Sequence, residues 1–302
     1  MTSLMPWNAY YNINPYPPLN MSQILACTDG SVYSSSVYDH AAWAAARMSA
    51  AVHVIHALDP QKESTSLADL SGSLVADAQQ ALMAELVALD EARSRVAQIR
   101  GKAILAEAER HLKEAGVQKI STEQRHGSLV ETLPDFEPSN DLVVIGKRGK
   151  SADFATLHLG GNLERIIRAA HKPVLVASRA FKPVNSFLIA FDGGPSAKKA
   201  VAFAASHELL KGLNCHLVMA SNADQDADFT AAKQQLESAG FAVNASIIPG
   251  EPEEVIAATI EQHGVQLLVM GAWGRSRLRH LVLGSTTTSM VRTCLVPVLM
   301  FR

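Results

Sequence analysis

The chain carries the same plan twice. Asp141-Leu-Val-Val-Ile-Gly-Lys-Arg-Gly-Lys-Ser corresponds in kind and order to Val265-Gln-Leu-Leu-Val-Met-Gly-Ala-Trp-Gly-Arg-Ser. Leu157-His-Leu-Gly-Gly corresponds to Leu281-Val-Leu-Gly-Ser, and His171-Lys-Pro-Val-Leu-Val to Leu295-Val-Pro-Val-Leu-Met. An internal repeat of this kind restricts the fold to two copies of one supersecondary unit. A length of 302 residues accommodates two domains of ordinary size.

Each copy alternates short apolar runs with helical patterns. In the first, strands are expected at 23–28, 52–58, 117–124, 141–145 and 173–177, with helices at 34–50, 64–116 and 160–170. The long middle segment places Leu74, Leu82, Leu86, Leu89, Val96 and Ile99 on one apolar face, and Gly101 can divide it into two helices. That face needs a covering surface, either the first sheet or another subunit. A polar stretch with Pro134 and Pro138 leads into the fourth strand. In the second copy, strands are expected at 187–191, 214–220, 241–248, 265–270 and 296–301, with helices at 196–210, 229–240, 253–263 and 284–293. Strands alternating with helices imply α/β architecture with parallel, doubly wound sheets and right-handed crossovers. The boundaries expected are a disordered tail at 1–21, a first domain at 22–179, a linker at 180–185 and a second domain at 186–302. The tail is aromatic and proline-bearing, lacks the pattern of a signal peptide, and ends on Met21, which can serve as a second start.

Composition excludes several classes. A net charge of −2 argues against broad binding to nucleic acid or to a membrane surface. No apolar run approaches the ~20 residues of a membrane span. Cys27, Cys215 and Cys294 sit in apolar contexts and read as buried thiols, which fits a reducing, cytoplasmic setting. The histidines show no metal spacing, and His53 and His56 fall on opposite faces of one strand.

The stretch from Leu267 to Thr288 carries the chemistry. A buried strand ends in Gly271 and Gly274. A loop with Arg275, Arg277 and Arg279 follows, and then Gly284, Ser285 and Thr286 open a helix. Glycines permit close backbone approach, and a helix start offers unpaired N–H groups at the positive end of its dipole. Such a constellation suits a polyphosphate. The spacing alone equally allows a glycine turn followed by an ordinary Ser/Thr cap.

The pattern Gly-x2-Gly-x9-Gly-Ser/Thr, together with Asp192 after the first strand, resembles the ATP-binding signature of the universal stress protein family. The resemblance extends over both copies from Ser22 onward. It implies two tandem doubly wound parallel five-stranded sheets of strand order 3-2-1-4-5, with a ligand at the carboxyl ends of strands 1 and 4. It also implies pairing of the domains through their fifth strands, and it leaves homodimer formation open. By the resemblance, Asp192 holds the ribose and Ala220 lies beside adenine. Met270, Gly271 and Gly274 line ribose and phosphate, while Gly284, Ser285 and Thr286 hold phosphate. Arg275 or Arg277 reaches the terminal phosphate. The implied cofactor is ATP, with Mg2+ accompanying it.

The first copy departs from the pattern. Its corresponding positions are Asp29, Gly146, Gly149, Gly160, Gly161 and Asn162. Ten residues instead of nine separate Gly149 from Gly160, Asn162 brings no hydroxyl, and Glu164 puts a carboxylate in the first helical turn. This site is expected to be degenerate, although Lys147, Arg148 and Lys150 keep its loop basic.

The functional expectation is an ATP-binding stress-response regulator acting through conformation or an unknown protein partner. The alternative is an ATP-using enzyme of the same broad fold class, limited to slow hydrolysis, autophosphorylation or nucleotide transfer. No nucleophile elbow, kinase loop or general base accompanies the phosphate loop. A third reading makes the first copy a structural partner for the second.

Overall fold

A computed structural model describes residues 22–59, 76–147, 161–273 and 284–302, without the side chains of 76–82, 161 and 162. The chain-terminal segment 1–21 therefore lies outside the described residues, as do Leu74, Arg148, Gly149, Lys150, Gly160, Gly274, Arg275, Arg277 and Arg279.

The first half contains β1 (Gln23–Thr28), α1 (Ser34–Met48), β2 (Ala51–Leu58), α2 (Ala76–Glu114), β3 (Ile120–His126), α3 (Leu129–Phe136), β4 (Leu142–Gly146), α4 (Gly161–Ala169) and β5 (Val174–Ala177). The second half contains β6 (Ser186–Ala190), α5 (Pro195–Ser206), β7 (Asn214–Ala220), α6 (Ala227–Ser238), β8 (Val243–Ile248), α7 (Pro252–His263), β9 (Leu267–Gly271), α8 (Ser285–Thr293) and β10 (Val298–Phe301).

All strands belong to one ten-stranded sheet of order β3-β2-β1-β4-β5-β10-β9-β6-β7-β8. Each half thus has the 3-2-1-4-5 order. The expected two sheets are continuous, because β5 and β10 pair antiparallel with Leu175 opposite Leu299. The other neighbours are parallel. The strands are apolar on both faces because helices cover both, as buried parallel strands require. Ile24 and Ala26 face one core with Val37, Leu105, Ala197 and Phe229, from α1, α2, α5 and α6. Leu25 and Cys27 face the other with Leu133, Leu163, Val255 and Met290, from α3, α4, α7 and α8. Arg47 of α1 ties the halves by donating to the carbonyl oxygens of Leu209 and Lys211.

Two local expectations are corrected, and one of two open alternatives is closed. The polar stretch before β4 folds as α3. Ser128 Oγ accepts the Glu131 N–H at 3.3 Å, and the Glu131 carboxylate accepts the Ser128 N–H at 3.1 Å. This capping box starts the helix, and Pro134 sits inside it. Second, Gly101 does not divide the long segment. α2 runs unbroken for 39 residues, about 58 Å. Gly101 is buried, and a Cβ there would stand 2.8 Å from the flexible end of the Gln124 side chain on β3. Third, the first sheet does not cover the apolar face upstream of Gly101. Leu105, Ala108 and Leu112 are buried on the sheet, whereas Leu89, Val96 and Ile99 are exposed.

Candidate functional site

The strand order reverses between β6 and β9, which lie side by side with Ala190 opposite Met270. β7 flanks β6, with Val218 opposite Ala190. The carboxyl ends of three adjacent strands therefore bring together Asp192, Ala220, Met270 and Gly271. Met270 itself is buried in the core among the residues facing α7 and α8. Its side chain is a packing group, and only its backbone belongs to the edge.

After β6 the chain turns at Asp192, whose Oδ1 accepts the Gly194 N–H at 2.8 Å. This Asx turn holds the carboxylate at the edge with one oxygen engaged. Gly194 and Pro195 then begin α5. The start of α5 explains Gly271. A Cβ there would lie 2.8 Å from Ser196 Cβ and 3.0 Å from the Ala197 nitrogen, so a helix start packs directly on the strand end.

α8 is anchored to the same strand end. The Gly284 N–H donates to the Ala272 carbonyl at 3.3 Å. Thr287 Oγ1 donates to the Gly271 carbonyl at 3.1 Å. Thr287 is buried, Thr286 half-buried and Ser285 exposed. Among the described residues no side chain caps the start of α8, and its first turn holds no acidic residue. Gly284 has φ −56°, which any residue adopts. A Cβ on it would meet nothing closer than Thr287 Oγ1 at 3.4 Å. Internal packing thus demands glycine at 271 and does not demand it at 284. Thr287, which orients the helix start, is a positioning residue that motif spacing did not single out. Its signal was the threonine run at 286–288.

Trp273 continues from this turn. The Arg302 guanidinium lies 5.4 Å from its ring centroid, so the indole covers the turn and stacks within the chain.

The corresponding edge of the first half is built differently. Asp29 Oδ1 accepts the Ser31 N–H at 3.0 Å, so the Asx turn recurs. Here, however, α2 closes over the turn. A Cβ on Gly30 would lie 2.3 Å from Cδ1 of Ile104. Thr28 Oγ1 is bonded into the protein, 3.0 Å from Ser34 Oγ and 2.7 Å from the Tyr38 hydroxyl. Gly146 ends β4 beside β1, and α4 begins at Gly161 with Asn162 next and Glu164 in its first turn. Lys147 donates from Nζ to the Cys294 carbonyl at 2.5 Å, at the far end of α8. Lys147, the residue that follows β4, therefore reaches into the second half. His53 and His56 have separate partners, Ser121 Oγ at 2.6 Å and the Thr28 carbonyl at 2.8 Å, as their opposite faces require.

Among the described residues no cluster of three or more His, Cys, Asp or Glu could hold a metal. No described helix is long and apolar enough to cross a membrane. The three cysteines are free and buried, and burial pushes the Cys27 and Cys215 thiols up to about 12.

The model of the universal stress protein family matches residues 21–178 and 216–302. Universal stress protein Slr1230 of Synechocystis sp. is 37% identical over 287 residues, covering 93% of this chain and 100% of that protein. Universal stress protein MJ0577 of Methanocaldococcus jannaschii is 36% identical over 70 residues, 23% of this chain and 43% of that protein. Among solved structures, a universal stress protein from Archaeoglobus fulgidus superposes with a TM-score of 0.70 at 21% identity, over 93% of this chain and 98% of that one. A protein of unknown function from Pseudomonas aeruginosa, PA1789, gives 0.62 at 18% identity, over 93% and 92% of the two chains. With matches spanning both halves and a full-length relative, this chain belongs to the universal stress protein family.

Proposed function

We propose that the carboxyl edge of the second half binds ATP and that the protein acts as a cytoplasmic stress-response regulator through its nucleotide-dependent conformation. The observation that carries this reading is the start of α8, which among the described residues has no side-chain cap and no carboxylate, and which is tethered from behind by Thr287. The N–H groups of its first turn, with the Ser285 and Thr286 hydroxyls, would hold the phosphates. The second oxygen of Asp192 would accept from the ribose, Ala220 would lie beside the base, and Gly271 would carry the backbone past the sugar. Gly274 and Arg275, next in the sequence, would complete the set by the family resemblance. Mg2+ would enter as the counter-ion of the polyphosphate. The residues fit a nucleotide in charge and in donor type.

The first half reads as the degenerate member. Glu164 at the start of α4 opposes an incoming phosphate, and Ile104 fills the space over the Asp29 turn. The repeat of one strand order in each half of the continuous sheet supports domains at 22–179 and 186–302, joined by a linker at 180–185. Titration calorimetry tests the reading. One ATP per chain is expected. Replacing Ser285 by Ala together with Thr286 by Val removes two hydrogen bonds to a charged group, each worth ~1.5–3 kcal/mol, and should weaken binding at least about tenfold. Absence of binding, or two equivalent sites per chain, would overturn it.

A further inference from the structure

Upstream of Gly101, α2 leaves the sheet with its apolar residues uncovered. Met83, Val87, Leu89, Val96 and Ile99 are 57%, 58%, 43%, 64% and 69% exposed. Leu86, Leu89, Val96 and Ile99 recur at spacings that put them on one side of the helix. The charges along this segment are sorted by sign. Asp77, Glu85, Asp90 and Glu91 come first without a basic residue among them, and Arg93, Arg95, Arg100 and Lys102 follow without an acidic one. The helix dipole does not account for this order, because its influence falls off within the terminal turns. Asp90 and Arg93 lie far from both ends of a helix that continues to Glu114.

We infer that a second copy of this chain covers this face, with the two α2 helices laid antiparallel about a two-fold axis between residues 92 and 93. That register sets Leu89 opposite Val96 and Leu86 opposite Ile99. It also sets Glu85 opposite Arg100 beside the apolar seam, and the symmetry repeats the pair. The acidic half of each helix then faces the basic half of the other, whereas a parallel pair would oppose like charges. The pairs now formed within the helix, Arg93–Asp90 at 4.0 Å and Arg95–Glu91 at 3.3 Å, are exposed and exchange at little cost. The fifth-strand edges are not open to a second copy, since β5 and β10 occupy each other.

Sedimentation equilibrium of the full chain tests the proposal. A dimer is expected. Val96→Glu with Ile99→Glu should dissociate it. Glu85→Lys with Asp90→Lys should raise its dissociation constant by about tenfold or more. Mixing that variant with an Arg95→Glu, Arg100→Glu variant should restore association as a heterodimer, which a merely unfolded helix could not do. A Glu85→Cys copy should form a disulfide with an Arg100→Cys copy and not with itself. The native thiols are buried and do not compete. A monomer at every concentration would overturn the proposal. So would a dimer indifferent to both charge reversals, which would point to the outer edges β3 and β8. Self-linkage of the Glu85→Cys copy would overturn the antiparallel register.

Discussion

Thr287 Oγ1 donates to the Gly271 carbonyl at 3.1 Å, so one hydroxyl fastens the start of α8 to the end of β9. The two residues flank positions 274–283 in the sequence, and their bond fixes the helix start against the strand end. Ser285 beside it is exposed and Thr286 half-buried. Replacing Thr287 by Val keeps the volume and removes the donor. The half-buried carbonyl loses a partner, which should cost about 0.5–1.5 kcal/mol of stability. ATP affinity should fall with it, because the phosphate donors are no longer held in place. Thermal melting with and without ATP separates the two effects. An unchanged ligand-induced shift would show that the tether does not position the site.

The two glycines of the site should fail in different ways. A Cβ at Gly271 would press on the backbone of α5, at 3.0 Å from the Ala197 nitrogen. Gly271→Ala should destabilise the fold by roughly 1–3 kcal/mol, as overpacking does. A Cβ at Gly284 meets only an ordinary contact, so Gly284→Ala should leave stability within about 0.5 kcal/mol. That methyl would nevertheless stand where a phosphate must approach, and ATP affinity should drop. Chemical denaturation and calorimetry on the pair decide the matter. If Gly284→Ala bound ATP normally, phosphate would have to be held elsewhere.

His40 gives the fold a pH dependence. It is fully buried, its Nδ1 donates to the Ser36 carbonyl at 2.6 Å, and the ring meets Phe181 edge-on at 5.1 Å. Nε2 has no partner among the described residues. Burial holds the pKa below its usual 6.5. The folded state then binds the proton more weakly than the unfolded chain. Stability from this residue is complete above about pH 6.5 and declines as the pH falls below it, by at most ~1.4 kcal/mol per pH unit. His53, His207 and His216 are also held low, first by burial, and contribute in the same direction. Denaturation midpoints at pH 7.5 and 5.5 should differ, and His40→Asn should reduce the difference. An equal difference in that variant would place the titration entirely on the other histidines.

Much of this arrangement was legible in the sequence because it is periodic. The repeated strand-helix order set the parallel, doubly wound class, while the resemblance to the family supplied the 3-2-1-4-5 order and the pairing of the fifth strands, expected from the apolar runs 174–177 and 296–301. What was not legible depends on where surfaces end. The stripe through Leu89, Val96 and Ile99 has the same period as the stripe through Leu105, Ala108 and Leu112, yet only the second lies over the sheet. Periodicity reports a face without reporting its cover. α3 was masked by Pro134, although the Ser128–Glu131 box stood in the sequence. The reason for Gly271 was hidden for another cause. Its neighbour, Ser196, is distant in sequence, and only the fold brings the α5 start against β9.

The last prediction separates a regulator from an enzyme. The described part of the second-half edge offers a carboxylate, two hydroxyls and the N–H groups of a helix start. These are binding groups, and Asp192 already spends one oxygen on the Gly194 N–H. General acid–base catalysis needs a titratable group within hydrogen-bond reach of the reacting atoms, and in the proposed arrangement Asp192 meets the ribose and not the phosphates. Bound ATP should therefore stabilise the fold by mass action, about 2.7 kcal/mol at a hundredfold excess over its dissociation constant. The stabilisation should persist for hours, because turnover is slow. Asp192→Asn keeps the Asx turn and weakens the ribose contact, so it should reduce the melting shift without changing the melting temperature of the free protein. Following phosphate release alongside melting completes the test. Turnover at the ~1–10³ per second of ordinary enzymes would replace the regulator reading with an enzymatic one and would require a catalytic group in the loop 274–283.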